Sequence, residues 1–393
     1  MAEKARMPLW PPPGLANHLR NRVDELRQAK KNGVKVIGFF PGNYVPEEII
    51  YASGAVPICL AWGGSPHSAD AALSVIPRYI CPFARAQIGE KLLKENPYYN
   101  MVDMLVAPMT CVHLKKAADM WEYYFPNTEI FKLGVPHEYY SDSALEYYTN
   151  RLKALKDRLE NFTGNVITNA KISDAIELYN KMRGLLRKLS LTRQSANPPL
   201  SALDFIKMNH ASFYARPALM VDALDAFYEE LTSMHILGGD RPRLLLVGPN
   251  MAYGDYKILE LADESGGEIV IEELCEGIRD YWRDIGDSGD PFQSLAKGYL
   301  RERLPGGFMA RSTANRLDFA IKLVNDFSVS GVIFYELLYC ETYDVEAYYY
   351  AKKLKEKNIP VLVIESEYNV SDRGQLKARI DAFLEIIGGG PKQ

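Results

Sequence analysis

Short apolar runs alternate with helical patterns along the whole chain. In the first half, apolar runs predict strands over residues 34–40, 55–62, 104–109 and 129–135. In the second half, they predict strands over residues 243–248, 268–274, 331–338 and 360–365. Strands that alternate with helices build a parallel sheet with helices on its faces. The pattern therefore predicts an α/β protein with two parallel sheets of about four strands each.

A long region between the two sets of strands has helical spacing and few strand signals. It contains an amphipathic pattern in which apolar residues recur three or four positions apart, at Ile172, Ala175, Ile176, Tyr179, Met182, Leu186 and Leu189. The Asn197-Pro198-Pro199 segment breaks this pattern, and the glycines and proline of residues 238–242 mark the start of the second sheet. We therefore predict an N-terminal helical extension over residues 1–33, a first α/β domain over 34–160, a helical connecting region over 161–240 and a second α/β domain over 241–393.

Composition places the chain among globular proteins. Its 393 residues, 47% of them hydrophobic, are enough for two or three domains with separate cores. A formal net charge of −4 without a basic stripe argues against a nucleic-acid partner. No apolar run reaches the roughly 18 residues of a membrane helix, and the N-terminus lacks a secretory signal pattern. We expect a soluble cytoplasmic protein whose five cysteines are thiols or metal ligands.

Several motifs that carry common chemistry are absent. The chain has no G-x-x-x-x-G-K-[ST] loop and no G-x-G-x-x-G, H-E-x-x-H, G-x-S-x-G or C-x-x-C pattern. A step driven by nucleotide hydrolysis would therefore require another protein. The six histidines show no metal-ligand spacing, which argues against a zinc hydrolase, and most of them are expected to be surface or packing residues.

The cysteines are the main candidates for chemistry, although a free cysteine is often an inert core thiol. Cys59 lies inside a predicted strand, so we expect it in the core. Cys81 precedes Pro82 and a helical pattern, which predicts a cysteine at a helix N-cap, where a thiolate is favoured. Arg85 adds a cation four residues further on, on the same face of that helix.

Three further cysteines each follow the end of a predicted strand: Cys111, Cys275 and Cys340. In open α/β sheets, ligands bind beyond the carboxyl ends of the strands, so these thiols could share a site in the cleft between the two domains. Position alone does not separate Cys275 from the others. A metal or iron–sulfur site and a set of inert thiols both remain open at this point.

Seven segments together resemble a known family. They are residues 44–57 (YVPEEIIYASGAVP), 79–81 (YIC) with Arg85, 108–111 (PMTC), 174–183 (DAIELYNKMR), 273–279 (ELCEGIR), 339–340 (YC) and 374–383 (GQLKARIDAF). In this order they resemble the 2-hydroxyacyl-CoA dehydratase family, which also contains benzoyl-CoA reductase subunits and double-cubane cluster proteins. The resemblance runs from about residue 34 to about residue 385.

The resemblance implies two flavodoxin-like or Rossmann-like parallel-sheet domains with a [4Fe-4S] cluster in the cleft between them. Carried over by position, the cluster ligands are Cys81, Cys111 and Cys340, whereas Cys275 matches a position that is not a ligand. The 44–57 motif is interpreted as structural, with Glu47 at a helix start. No catalytic residue is identified.

The activity implied by the resemblance is radical elimination of water from a 2-hydroxyacyl-CoA. One electron on the thioester carbonyl gives a ketyl that expels the hydroxyl group, after which the C3 proton becomes acidic and is lost, and the electron then returns to the cluster. Its source would be a separate ATP-hydrolysing iron–sulfur activator. The other implied partner is a second homologous cluster subunit, in a heterodimer, or a second copy of this chain, in a homodimer.

Two alternatives remain open. One is net reduction, either by a benzoyl-CoA reductase type of subunit or by a reductase in which the cubane is half of a double-cubane [8Fe-9S] cluster. The other is a cluster-free small-molecule binding protein. The sequence also departs from the family: many members have aspartate after the second cysteine, where this chain has Val112 and then His113, and Glu367 stands where the family has another aspartate. Such changes would tune the cluster through its surroundings.

Overall fold

The computed structural model describes residues 10–234 and 240–388 of the chain. Three expectations fall partly or wholly outside these ranges. They concern the secretory-signal pattern of the first nine residues, the turn at Gly238 and Gly239, and the role of His235.

All eight predicted strands form, and they build two parallel sheets, which confirms the α/β class. The first sheet has the order β2-β1-β3-β4 and the second has the order β6-β5-β7-β8. The strands are β1 Val36–Phe39, β2 Val56–Cys59, β3 Met104–Met109, β4 Glu129–Gly134, β5 Arg243–Val247, β6 Glu268–Glu273, β7 Gly331–Leu337 and β8 Val361–Ser366. The architecture is that expected of two Rossmann-like or flavodoxin-like domains.

The central strands are buried on both faces because helices cover both sides of each sheet. Every residue of β7 is buried, in keeping with the continuous apolar run that predicted it. The edge strand β4 is mostly half-buried. Strand β2 is shorter than predicted and ends at Cys59, because the chain then leaves the sheet and Trp62 pairs with Tyr253 instead.

Sixteen α-helices are present within the described ranges. They are α1 Pro13–Lys31, α2 Glu47–Ala52, α3 Pro66–Ala71, α4 Pro82–Leu93, α5 Pro97–Met101, α6 Val112–Tyr124, α7 Asp142–Thr163, α8 Asn169–Thr192, α9 Ala202–Ser212, α10 Pro217–Thr232, α11 Lys257–Glu264, α12 Ile278–Tyr281, α13 Pro291–Lys297, α14 Ser312–Asp326, α15 Glu341–Glu356 and α16 Arg373–Ile387. A 3-10 turn covers Ala72–Ser74, and a π-helical turn covers Gly298–Glu302. Within residues 10–234 and 240–388, no helix has both the length and the hydropathy to cross a membrane.

The predicted amphipathic helix is α8. Its N-cap residue Thr168 accepts a hydrogen bond from the Lys171 amide, as capping threonines do. The predicted apolar positions are buried except Ile176, which is half-buried. Helices α8 to α10 lie in the region predicted to be helical, whereas most of α7 lies in the range predicted for the first α/β domain. The domain limits drawn above stay a prediction.

The carboxyl ends of the two sheets face each other. Trp62, three residues after β2, pairs through its backbone with Tyr253, which follows β5. Asn43, beyond β1, donates a side-chain hydrogen bond to the carbonyl of Cys275, beyond β6. Gly64 allows the close approach, since a Cβ there would lie 2.3 Å from the amide nitrogen of Asp255. Residues that follow strands in both halves therefore meet in one cleft.

Candidate functional site

Three cysteines line one small cavity in this cleft: Cys81, Cys111 and Cys340. Two come from the first half of the chain and one from the second. The cavity is also lined by residues of α4, α6, α15, the end of β7 and the segment after β5. These include His113 and Asn250. The structure thus brings together the three cysteines that were predicted to act together.

Cys111 and Cys340 are presented in the same way. Each is the N-cap of the helix that follows a strand, α6 after β3 and α15 after β7. The Sγ of Cys111 accepts a hydrogen bond of 3.4 Å from the Leu114 amide. Cys340 follows Tyr339, whose φ of 64° is in the left-handed region that non-glycine residues rarely adopt. Such strained residues cluster at functional sites.

Cys81 is the N-cap of α4 with Pro82 at the first helical position, as predicted. A hydrogen bond from the Cys340 thiol lowers the pKa of Cys81 to about 5, with burial opposing and His113 and the Ala84 amide assisting. Cys81 is therefore the cysteine in the cavity most disposed to be a thiolate, the form that binds metals.

The other two thiols are disfavoured as anions. Burial raises the pKa of Cys111 to about 12. The hydrogen bond to Cys81, followed by burial, raises the pKa of Cys340. Any metal that takes all three sulfurs as thiolates must therefore displace protons, which couples binding to pH.

The donor set fits an iron–sulfur group better than a single ion. Thiolates are the ligands that such clusters use. Within the described residues, no group of three or more His, Cys, Asp or Glu side chains could hold one metal ion. A cubane offers each thiolate a different iron, so its ligands must stand further apart. The three sulfurs line one small cavity without forming a single-ion site, which agrees with this requirement.

Arg85 does not act as the sequence indicated. Its Nε donates a hydrogen bond of 3.0 Å to the carbonyl of Ile80, and its Nη2 lies 3.3 Å from Glu367. The guanidinium is fully buried and stabilises the backbone just before Cys81, rather than pairing with the sulfur. The helical spacing placed Arg85 on α4 correctly. Its guanidinium, however, pairs with Glu367, which follows β8, and not with the sulfur of Cys81.

Cys59 and Cys275 lie outside the cysteine cavity. Cys59 is buried in the core on β2, as expected. The Sγ of Cys275 is 2.9 Å from Arg279 Nη1 and 3.3 Å from the hydroxyl of Tyr343. This arrangement agrees with a non-ligand role for Cys275, while the assignment of the three ligands stays a prediction.

His113 contacts the backbone of Cys81. Its side chain is buried, and its Nδ1 accepts a hydrogen bond of 3.1 Å from the amide of Cys81. The ring hydrogen is therefore on Nε2, which lies 3.9 Å from Glu341. Val112 is half exposed at the rim. The side chain that contacts the backbone of Cys81 is thus that of His113, the residue after Val112.

Sequence reasoning missed Glu276, which follows Cys275 at the end of β6. It is buried, its Oε2 accepts a hydrogen bond of 3.3 Å from the Met251 amide, and its Oε1 has no hydrogen-bond partner among the described residues. Burial raises the pKa of Glu276 to about 8. It lines a second small cavity of the cleft with Glu47 and Arg303. An acidic residue in the loop after a strand, next to Cys275, was the signal that could have found it.

Comparisons with known proteins cover nearly the whole chain. The model of the family described as 2-hydroxyglutaryl-CoA dehydratase, D-component, matches residues 43–387. A putative dehydratase subunit, YjiM, of Escherichia coli is 28% identical over 363 residues, 91% of this chain and 93% of the relative. A benzoyl-CoA reductase subunit of Thauera aromatica is 24% identical over 90% of this chain and 91% of its own length. The (R)-2-hydroxyglutaryl-CoA dehydratase beta subunit of Acidaminococcus fermentans is 23% identical over 92% and 95%.

Proposed function

Because this chain belongs to the 2-hydroxyglutaryl-CoA dehydratase D-component family, we propose that it is the [4Fe-4S] subunit of an enzyme that eliminates water from a 2-hydroxyacyl-CoA. The observation that carries the proposal is the convergence of Cys81, Cys111 and Cys340 from two sheets on one cavity. When bound there, the cluster would supply a single low-potential electron to the thioester carbonyl of the substrate.

The residues of the chain would hold and surround this cluster. Three thiolates would take three irons and leave the fourth free for substrate, as a Lewis acid or an inner-sphere electron donor requires. Asn250 lines the same cavity, and its buried Nδ2 has no hydrogen-bond partner among the described residues. It could donate to a substrate carbonyl. His113 would hold the backbone of Cys81.

The names of the relatives and the missing Walker loop support two partners. The relatives are named as subunits, so we expect a second homologous subunit or a second copy of this chain to complete the enzyme. The chain lacks a Walker loop, so the electron would come from a separate ATP-hydrolysing iron–sulfur activator. A cytoplasmic location and the four-part division of the chain at residues 33, 160 and 240 belong to the same proposal.

A second candidate function is net reduction of an acyl-CoA. The similarity to the benzoyl-CoA reductase subunit of Thauera aromatica, over nine tenths of both chains, is the observation in its favour. A double-cubane reductase is the homodimeric version of this alternative. Two measurements distinguish elimination of water from net reduction. They are the identity of the product formed from a 2-hydroxyacyl-CoA and the subunit stoichiometry of the assembled enzyme.

Iron and sulfide content after anaerobic purification tests the cluster. We expect about four of each per chain, with loss in Cys81→Ala, Cys111→Ala and Cys340→Ala. Cys275→Ala and Cys59→Ala are matched controls that should keep their iron. A colourless, iron-free protein that is stable in air would instead favour a cluster-free binding protein. Loss of iron in Cys275→Ala with retention in the three predicted ligands would overturn the assignment.

A further inference from the structure

A larger cavity of about 430 Å³, which none of the three cysteines of the cysteine cavity lines, lies between α12, α14 and the end of the π-helical turn with the residues that follow it. This volume is in the range of small-molecule sites. Five of its lining residues are cationic: Arg279, Arg283, Arg301, Arg303 and Lys322. Neither the proposed elimination nor the cysteine cavity uses them.

Unused hydrogen-bond donors distinguish this cavity. Arg303 is 5% exposed, and its Nε and Nη2 make no hydrogen bond with a described residue, whereas its Nη1 is paired with Asp280. Nε of Arg301 also has no hydrogen-bond partner among the described residues, whereas Nη2 of Arg279 is paired with the carboxylate of Glu273. Buried donors without acceptors are costly, and native proteins satisfy nearly all of them. The three unpartnered nitrogens, Nε and Nη2 of Arg303 and Nε of Arg301, therefore call for an acceptor that the described protein atoms do not supply.

Most of the cations that line this cavity are already paired with carboxylates. Arg303 Nη1 is 2.8 Å from Asp280, Arg301 Nη2 is 2.9 Å from Asp142, and Lys322 pairs with Asp326. Arg283 is the cation of this cavity that forms no ion pair with a described residue. The guanidinium N–H groups that have no acceptor remain available. Guanidinium groups are planar, and their N–H donors match the geometry of phosphate oxygens.

Two aromatic rings line the same cavity. Trp282 and Phe319 have centroids 5.7 Å apart and an interplanar angle of 78°, and both are partly exposed. An apolar aromatic surface beside guanidinium donors suits a ligand with a planar base at one end and phosphate at the other.

We propose that this cavity binds the phosphorylated adenosine part of a nucleotide ligand, with phosphate on Arg303 and Arg283 and the base against Trp282 and Phe319. The identification of that ligand as the coenzyme A of the substrate rests on the proposed function. A free adenine nucleotide has the same chemistry. Arg303 also lines the cavity of Glu276, so a ligand held here abuts the polar wall of the cleft.

Titration calorimetry of the anaerobically purified protein tests this assignment with inorganic pyrophosphate, ADP, adenosine 3′,5′-bisphosphate and coenzyme A. We expect Arg283→Gln to weaken every phosphate ligand about tenfold through loss of one charge-assisted contact. Phe319→Leu should weaken the three adenine-containing ligands but leave pyrophosphate unchanged. Both residues are at least partly exposed, so these variants should fold. Arg27→Gln, on the exposed face of α1, is the matched control.

The outcomes separate the two possible sources. Competition between adenosine 3′,5′-bisphosphate and coenzyme A assigns the cavity to the coenzyme, and binding of ADP without such competition assigns it to a free nucleotide. Absence of pyrophosphate and nucleotide binding, or equal affinity in Arg283→Gln and the unsubstituted protein, overturns the proposal. Iron content is measured separately, so failure of this site and failure of the cluster are distinguishable.

Discussion

Cys111 and Cys340 occupy corresponding positions in the two halves of the chain. Each is the N-cap of the helix after the third strand of its sheet, and each of those strands lies beside the first strand of the same sheet. Because the carboxyl ends of the sheets face each other, this repeated placement brings one sulfur from each half to the same cavity. Cys81 adds the third sulfur from the N-cap of α4.

Oxidation of the cluster-free protein should join Cys81 to Cys340. Both sulfurs line the same small cavity, and the Cys340 thiol lowers the pKa of Cys81. Diamide would accept the two electrons and two protons that a disulfide releases. We expect peptide mass spectrometry to find the Cys81–Cys340 bridge and no bridge to Cys275. A dominant bridge to Cys275 would contradict the described geometry.

Replacing His113 should cost stability through the backbone of Cys81. His113→Leu removes the acceptor of the buried Cys81 amide, which should lower the free energy of unfolding by about 2 kcal/mol. His113→Asn can place an amide oxygen near the position of Nδ1 and should recover part of this loss. Urea unfolding of the cluster-free protein measures both values. His67→Leu, at an exposed site, should stay within about 0.5 kcal/mol of the unsubstituted protein.

Glu276 should make stability fall as pH rises. Burial raises its pKa from 4.5 to about 8 in the folded protein, so between these values folding retains a proton that the unfolded chain has lost. Glu276→Gln cannot titrate. Its free energy of unfolding, relative to the unsubstituted protein, should increase by about 3.5 kcal/mol from pH 5 to pH 8. Urea unfolding at both pH values checks this, and a constant difference would refute it.

Glu48 should prove structural. It is fully buried, and its two oxygens accept hydrogen bonds from Arg183 at 2.9 Å and from the Tyr299 hydroxyl at 2.8 Å. Glu48→Ala leaves the buried guanidinium of Arg183 without its partner and should cost about 3–5 kcal/mol of unfolding free energy. The exposed Glu177→Ala on α8 is the control. Equal stability of the two variants would show that the pair does not hold α2 against α8.

The sequence predicted the eight strands because continuous apolar runs are typical of parallel strands covered on both faces. It misplaced the end of β2, since the pairing of Trp62 with Tyr253 depends on the other half of the protein. The N-cap role of Cys81 was predictable from Pro82. The exclusion of Cys275 from the cavity came only from the family resemblance and not from its position after a strand, because the direction of a side chain beyond a strand depends on contacts such as that with Arg279.

The backbone pairing of Trp62 with Tyr253 has a mechanical consequence. The hydrogen bond from Asn43 to the Cys275 carbonyl joins the two halves a second time. Opening the cleft to a substrate would therefore have to break both contacts. Since the sulfurs come from both halves, such an opening would also change their spacing, so a bound cluster would itself tie the halves together.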